Sequence, residues 1–165
     1  MYSAEDQLRS TLQRGGRVDF FGSVLDVPAE RRFADLASVE AYVRAVLALD
    51  GVRRAWPGVR PPRIRERAGA GRAHYERREP ARDGVIALPI AGLAEQRWAA
   101  RETVVLHELA HHLAWADAGA QAHGADFCGT LVLLYRLALA PQAALLLRAA
   151  LDGAGVPVAE PAGAA

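Results

Sequence analysis

The sequence predicts a small α+β protein in which helices pack on a short antiparallel sheet. Helical periodicity occurs in the N-terminal and C-terminal parts of the chain, and short β-like runs broken by turn residues lie between them. The size agrees, because 165 residues that are 52% apolar and 24% charged suffice for one moderate core. We therefore expect one domain over residues 1–155 and a flexible tail over residues 156–165.

The N-terminal part is predicted to contain two helices with an extended segment between them. The first helix covers residues 3–13, with Ser3 as its N-cap, and ends at a glycine pair. Residues 18–27 are rich in Phe and Val and precede a proline, which favours a strand or an extended packing segment. The second helix begins at Ser38 and ends at Gly51, because apolar residues recur on one face between them.

The middle of the chain is predicted to form the sheet. Three β-like runs cover residues 63–67, 72–78 and 85–88, and turns are expected at residues 69–71 and 82–84. We expect the run 85–88 at the edge of the sheet, where an extended peptide could pair with it by strand addition.

The C-terminal part is predicted to be helical. A long helix covers residues 93–118 and ends at Gly119, and an apolar helix covers residues 125–139. Pro141 then fits the first position of a last helix that reaches Leu151.

The sequence HELAHH at positions 107–112 is the strongest functional signal. Residues four apart project from one face of a helix, so His107 and His111 can bind one metal ion. Glu108 lies roughly 100° around the helix from His107, beside the ion and outside its ligand set. Zinc held by neutral imidazoles lowers the pKa of a bound water, and Glu108 could take its proton. The motif therefore predicts a zinc-dependent hydrolase.

A catalytic zinc site needs a third protein ligand from outside this pair. We expect it to be His123, which follows Gly119 after a short loop and precedes Gly124, a residue that would permit a tight turn. The less favourable alternatives are His74, His112, Asp117 and Asp126.

Most of these alternatives have an ordinary structural interpretation. His112 projects roughly 140° away from His107, so we expect it on the surface. His74 is expected on a face of the sheet, and Asp126 in the first turn of a helix, where the dipole favours an acid. A hydrogen bond from Asp126 to a ligand histidine is the alternative. Cys128 is expected to be a small buried residue.

The residues HELAHHL followed by HGADF resemble the HExxH and later HGxxF signature of the SprT/Spartan-like zincins. Over roughly residues 2–155, including FFG, the RRF segment and HGADFCGTL, the chain also resembles a family of short bacterial HExxH metallohydrolases. The resemblance implies a zincin-like fold, His107, His111 and His123 as metal ligands, and Glu108 as the catalytic carboxylate. The zinc ribbon and DNA-binding tail of larger Spartan proteins are not found, so a role in DNA repair is not implied.

Charge and cysteine content constrain the partners. The net charge of +1 favours neither nucleic acid nor membrane, but residues 53–82 hold ten arginines against three glutamates, so a nucleic-acid partner is left open. One cysteine and no long apolar run predict a cytoplasmic protein outside the membrane.

Three functions follow from these observations. A metallopeptidase acting on a peptide or protein is the first. The second is a zinc amidase acting on a small molecule, and the third is a nucleic-acid-associated binding module with a structural metal. Substrate and oligomeric state are not predicted.

Overall fold

The protein has an α+β fold, as the sequence predicts. The computed structural model describes residues 2–68, 73–78, 83–90, 98–114 and 123–161. The elements, in chain order, are α1 (Tyr2–Arg14), β1 (Gly16–Phe20), β2 (Ser23–Val27), α2 (Leu36–Ala48), α3 (Asp50–Ala55), β3 (Arg63–Glu66), β4 (His74–Arg78), β5 (Asp83–Leu88), α4 (Glu102–Ala114), α5 (Ala125–Leu134) and α6 (Pro141–Gly153). The chain divides into two compact units, Met1–Glu30 with Ala120–Ala165 and Arg31–Gly119. One domain over residues 1–155 stays a prediction.

A three-stranded sheet and its helices form the unit Arg31–Gly119. β5 lies at the centre of the sheet, parallel to β3 and antiparallel to β4. Helix α4 packs against β4 and β5, while α2 packs against β3 and α4. The core that these contacts create consists of apolar residues below one-tenth exposure, among them Val39, Val43, Val46, Ile64, Ile86, Leu88, Leu106, Leu109 and Leu113.

The sheet differs from the prediction in its order and direction. The expectation that residues 85–88 form a free edge is wrong, because β5 is hydrogen-bonded on both sides. Asp83 and Gly84 belong to β5 and pair with β4, so they are not in the expected turn. The physical reason is the apolar run from Val85 to Leu88, which is buried on both faces as a central strand requires.

In the other unit, the described residues form a hairpin and three α-helices. β1 and β2 pair antiparallel around a turn at Phe21 and Gly22, so the predicted extended segment is two strands. α6 packs against α1, α5 and β2, and a π-helical turn at Tyr135–Leu139 joins α5 to α6. Residues 156–161 are irregular, and the N–H of Ala159 donates to the Ala125 carbonyl. Of the predicted tail, residues 162–165 lie outside the described residues.

Most predicted helices are present with shifted ends. Helix α2 begins at Leu36, because Asp35 is the N-cap and Ser38 is the third helical residue of its capping box. Pro141 opens α6, as predicted. The expected turn at residues 69–71, the helix start at residues 93–97 and the stop at Gly119 lie outside the described residues. None of the described helices is long and apolar enough to cross a membrane.

Candidate metal centre

Helix α4 begins at a polar contact with the segment that precedes α2. The N–H of Arg31 donates to Glu102 Oε2 at 2.8 Å, and the Arg31 guanidinium pairs with the other carboxylate oxygen. The backbones also pair, because the N–H of Glu102 donates to the Arg31 carbonyl and the N–H of Phe33 to that of Ala100. Glu102 is 1% exposed and sits in the first turn, where the helix dipole favours a carboxylate.

His107 and His111 lie on one face of α4, as their spacing predicts. Their ring centroids are 5.0 Å apart, their planes are inclined by 74°, and both rings are partly exposed. A ring nitrogen of His107 lies within 4.8 Å of a ring nitrogen of His111. Glu108, the next residue along the helix, is 5% exposed. The helix therefore presents two imidazoles with a buried carboxylate beside them.

His112 is buried, so the expectation of a surface histidine is wrong. It is 5% exposed, with Nε2 2.8 Å from the carbonyl oxygen of Arg60 and Nδ1 3.1 Å from the hydroxyl oxygen of Tyr75. Burial lowers the pKa of His112 and raises that of Tyr75. Both ring nitrogens are engaged within the fold, which agrees with the prediction that His112 is a poor metal ligand.

His123 lies just before α5, in the unit Met1–Glu30 with Ala120–Ala165. It adopts a left-handed conformation with φ of 65°. Its ring meets Phe127 edge-on at 4.9 Å, and its carbonyl accepts the thiol of the buried Cys128 at 3.8 Å. The turn therefore depends on His123 and not on Gly124, whose φ of −71° and ψ of −174° suit any residue. Histidine is among the side chains that tolerate this conformation best.

Two further sequence candidates, His74 and Asp126, lie in ordinary structural positions. His74 is on β4, where Arg67 lies 3.1 Å from Nδ1 and Glu76 lies 2.7 Å from Nε2. The hydrogen bond from His74, and then the neighbouring Arg65, hold the pKa of Glu76 below its usual range. Asp126 is exposed in the first turn of α5. Asp117 lies outside the described residues.

Within the unit Arg31–Gly119, His107 and His111 form a pair of histidines that could share a metal ion, and His123 as the third ligand stays a prediction. The sequence singled out all three. It missed the polar partners of His112, because Arg60 and Tyr75 lie 52 and 37 residues away along the chain. Gly84, which directly precedes the apolar run from Val85 to Leu88, was the available signal, since a glycine in a strand often marks a close approach of neighbouring atoms.

An α+β fold with HExxH on a helix beside a mixed sheet defines a zincin-like class of protein. The model of the SprT-like family matches residues 54–134, which hold α4 and the whole mixed sheet. This part of the chain is similar to the SprT-like family, a family that is associated with zinc. No curated protein and no solved structure matches the chain.

Proposed function

We propose that the protein is a zinc-dependent metallopeptidase. The observation that carries the proposal is the arrangement on helix α4. The rings of His107 and His111 lie close together on one face, and the buried Glu108 stands between them in the sequence. All three residues belong to the segment that matches the SprT-like family. We further propose a cytoplasmic location, which the single free and buried Cys128 supports.

His107, His111 and His123 are the residues that would hold the ion. Three neutral imidazoles suit zinc, and the predicted set of three leaves a position for substrate. When bound, zinc supplies Lewis acidity toward a carbonyl oxygen and toward water. The donor set therefore fits the metal that the family implies.

Glu108 supplies the proton transfer in this proposal. Its carboxylate accepts a proton from the attacking water and delivers it to the departing amine, as one group acting first as base and then as acid. The low exposure of Glu108 keeps this carboxylate from being surrounded by bulk water, so the proton stays near the reacting bond.

The edge of the sheet supports a peptide substrate. Among the described strands, β3 and β4 are the outer strands of the mixed sheet, and β4 is the outer strand that packs against α4. An outer strand has backbone groups on one side that can pair with an extended chain. We propose that a peptide adds to β4, in place of the edge at residues 85–88 that the sequence predicted. A small amide substrate would need no such edge.

Substitution of Glu108 by Gln tests the mechanism. We expect the variant to bind zinc as tightly as the unsubstituted protein and to lose about 10²- to 10⁴-fold in peptide hydrolysis, because the amide cannot accept the proton. Hydrolysis of an unstructured protein and of a peptide library, with metal content measured in parallel, provides the readout. The matched control is Glu40→Gln on α2, whose carboxylate is exposed and pairs with Arg44. Unchanged turnover in Glu108→Gln would exclude the proposed role, and hydrolysis of small amides alone would favour the amidase.

A nucleic-acid-associated function is the second candidate, because the arginines of β3 share one face. Arg63 and Arg65 occupy alternate positions of β3, so they lie on one face of the strand. Glu76 pairs with Arg65, which reduces the charge available for phosphates. DNA affinity that falls with rising salt, and that Arg63→Glu removes, would support this candidate.

A further inference from the structure

His112 joins helix α4 to two separate parts of the sheet. One ring nitrogen faces the carbonyl of Arg60, in the segment that leads into β3, and the other faces the hydroxyl of Tyr75 on β4. Tyr75 lies on one outer strand, and Arg60 lies three residues before the other outer strand, since β5 is between β3 and β4. A single side chain therefore connects α4 both to the outer strand β4 and to the segment that leads into the outer strand β3.

The chemistry of the partners fixes the direction of both hydrogen bonds. A backbone carbonyl can only accept, so Nε2 of His112 carries the proton and donates to Arg60. In the neutral ring Nδ1 then has no proton, and it accepts the hydroxyl proton of Tyr75. Both bonds are directional, unlike the apolar contacts of the neighbouring leucines, so they specify one position for the ring.

The central strand leaves space for this pair. A Cβ atom added at Gly84 would lie 2.5 Å from Tyr75 Oη and 2.6 Å from His112 Nδ1, closer than real Cβ contacts. Gly84 pairs with Arg77 in the ladder between β4 and β5, so its backbone position is fixed by the sheet. The absence of a side chain at Gly84 is therefore what allows the ring of His112 to reach Tyr75.

The ring of His112 and the candidate metal ligands lie on different sides of α4. His112 is displaced by about 100° from His111 and about 140° from His107 around the helix axis. Rotation or sliding of α4 that moved the ligands would also move the ring away from Arg60 and Tyr75. The contacts on one side of the helix therefore determine where the other side faces.

We propose that His112 and Tyr75 are positioning residues of the metal site, which set the rotation of α4 and so the direction in which His107 and His111 face. This inference rests on the proposed function. It assigns the second histidine of the pair His111-His112 to holding the helix, while the first binds the ion.

Zinc affinity and cobalt absorption spectra of variants test the proposal. Tyr75→Phe removes one oxygen atom, and His112→Leu removes both hydrogen bonds. We expect each to weaken zinc binding about tenfold or more, measured by competition with a chromophoric chelator, and to change the cobalt spectrum. His112→Gln keeps an N–H for the Arg60 carbonyl, and we expect it to recover most of the affinity that His112→Leu loses.

The control separates positioning from general stability. Val43→Ala on α2 opens a cavity in the core of the same unit and keeps the side chains of Tyr75 and His112 and the carbonyl of Arg60. We expect it to lower the melting temperature and leave zinc affinity and the cobalt spectrum unchanged. Should Tyr75→Phe behave like Val43→Ala, the pair is only structural and this inference is overturned while the proposed function stands. Failure of the unsubstituted protein to bind zinc would overturn the proposed function, and this inference with it.

Discussion

Among the residues that the structure describes, two residues other than glycine adopt left-handed backbone conformations. Phe21 has φ of 50° at the tip of the β1–β2 hairpin, and His123, the predicted third ligand, has φ of 65°. Such conformations cost a non-glycine residue on the order of 1 kcal/mol or more. At His123 this conformation lies two residues before the start of α5, so the backbone strain coincides with the predicted third ligand.

The strain at Phe21 can be relieved by substitution. Phe21 and Gly22 both have positive φ, at 50° and 80°, which is the requirement of a type I′ turn, where Asn-Gly is the preferred pair. Phe21 is also 92% exposed, so its side chain contributes little burial. We expect Phe21→Asn to raise the free energy of unfolding by about 0.5 kcal/mol.

Urea unfolding of both proteins measures this change. The ring of Phe21 meets that of Phe20 edge-on at 4.8 Å, and the substitution removes that contact. A decrease in the free energy of unfolding would mean that the ring contact outweighs the backbone strain, contrary to our expectation.

At the scale of single elements, the start of α4 has the clearest physical cause. Its first carboxylate, Glu102, receives the backbone N–H and the guanidinium of Arg31, while Arg32 and Arg101 form a β-bridge beside it. These contacts lie one and a half turns before His107, so they fix the end of the helix that precedes the candidate ligands.

Loss of the Glu102 charge should therefore destabilise the fold. We expect Glu102→Gln to lower the free energy of unfolding by about 1 to 2 kcal/mol, because a buried carboxylate loses its charge-assisted bonds while Arg31 stays largely solvated. Glu40→Gln is the matched control, since the Glu40–Arg44 pair is exposed, and we expect a change of less than about 0.5 kcal/mol. Equal effects of the two substitutions in urea unfolding would contradict this explanation.

At the scale of the whole molecule, metal binding and folding should be linked. An ion that binds the folded chain and not the unfolded chain stabilises it by mass action, by about 2.7 kcal/mol when the free ion is at a hundred times its dissociation constant. We expect zinc to raise the melting temperature of the protein and a chelator to reverse the rise.

His123→Ala tests whether the predicted third ligand takes part in this linkage. We expect the variant to lose most of the zinc-dependent rise in melting temperature, because two histidines bind zinc much more weakly than three. His74→Ala is the control, since His74 is engaged with Arg67 and Glu76 on β4, and its zinc response should remain. If zinc raised the melting temperature of His123→Ala as much as that of the unsubstituted protein, the third ligand would have to be another residue.

The sequence predicted the positions of the strands along the chain but not their order in the sheet. The strands β3, β4 and β5 lie where the patterns predicted them, but β5 was expected at the edge and is central. Its apolar run from Val85 to Leu88 carried that information, whereas the charged β3 and β4 suit outer positions.

The sequence by itself determined the helix that carries HELAHH, the pairing of His107 with His111 on one face, and the opening of α6 at Pro141. These features depend on residues within one or two helical turns of each other, so local spacing is sufficient to predict them. Only the tertiary structure decided that β3 runs parallel to β5, and that His112 is buried between Arg60 and Tyr75. Those partners are brought together by strand pairing across dozens of residues, and no local pattern encodes which distant groups will meet.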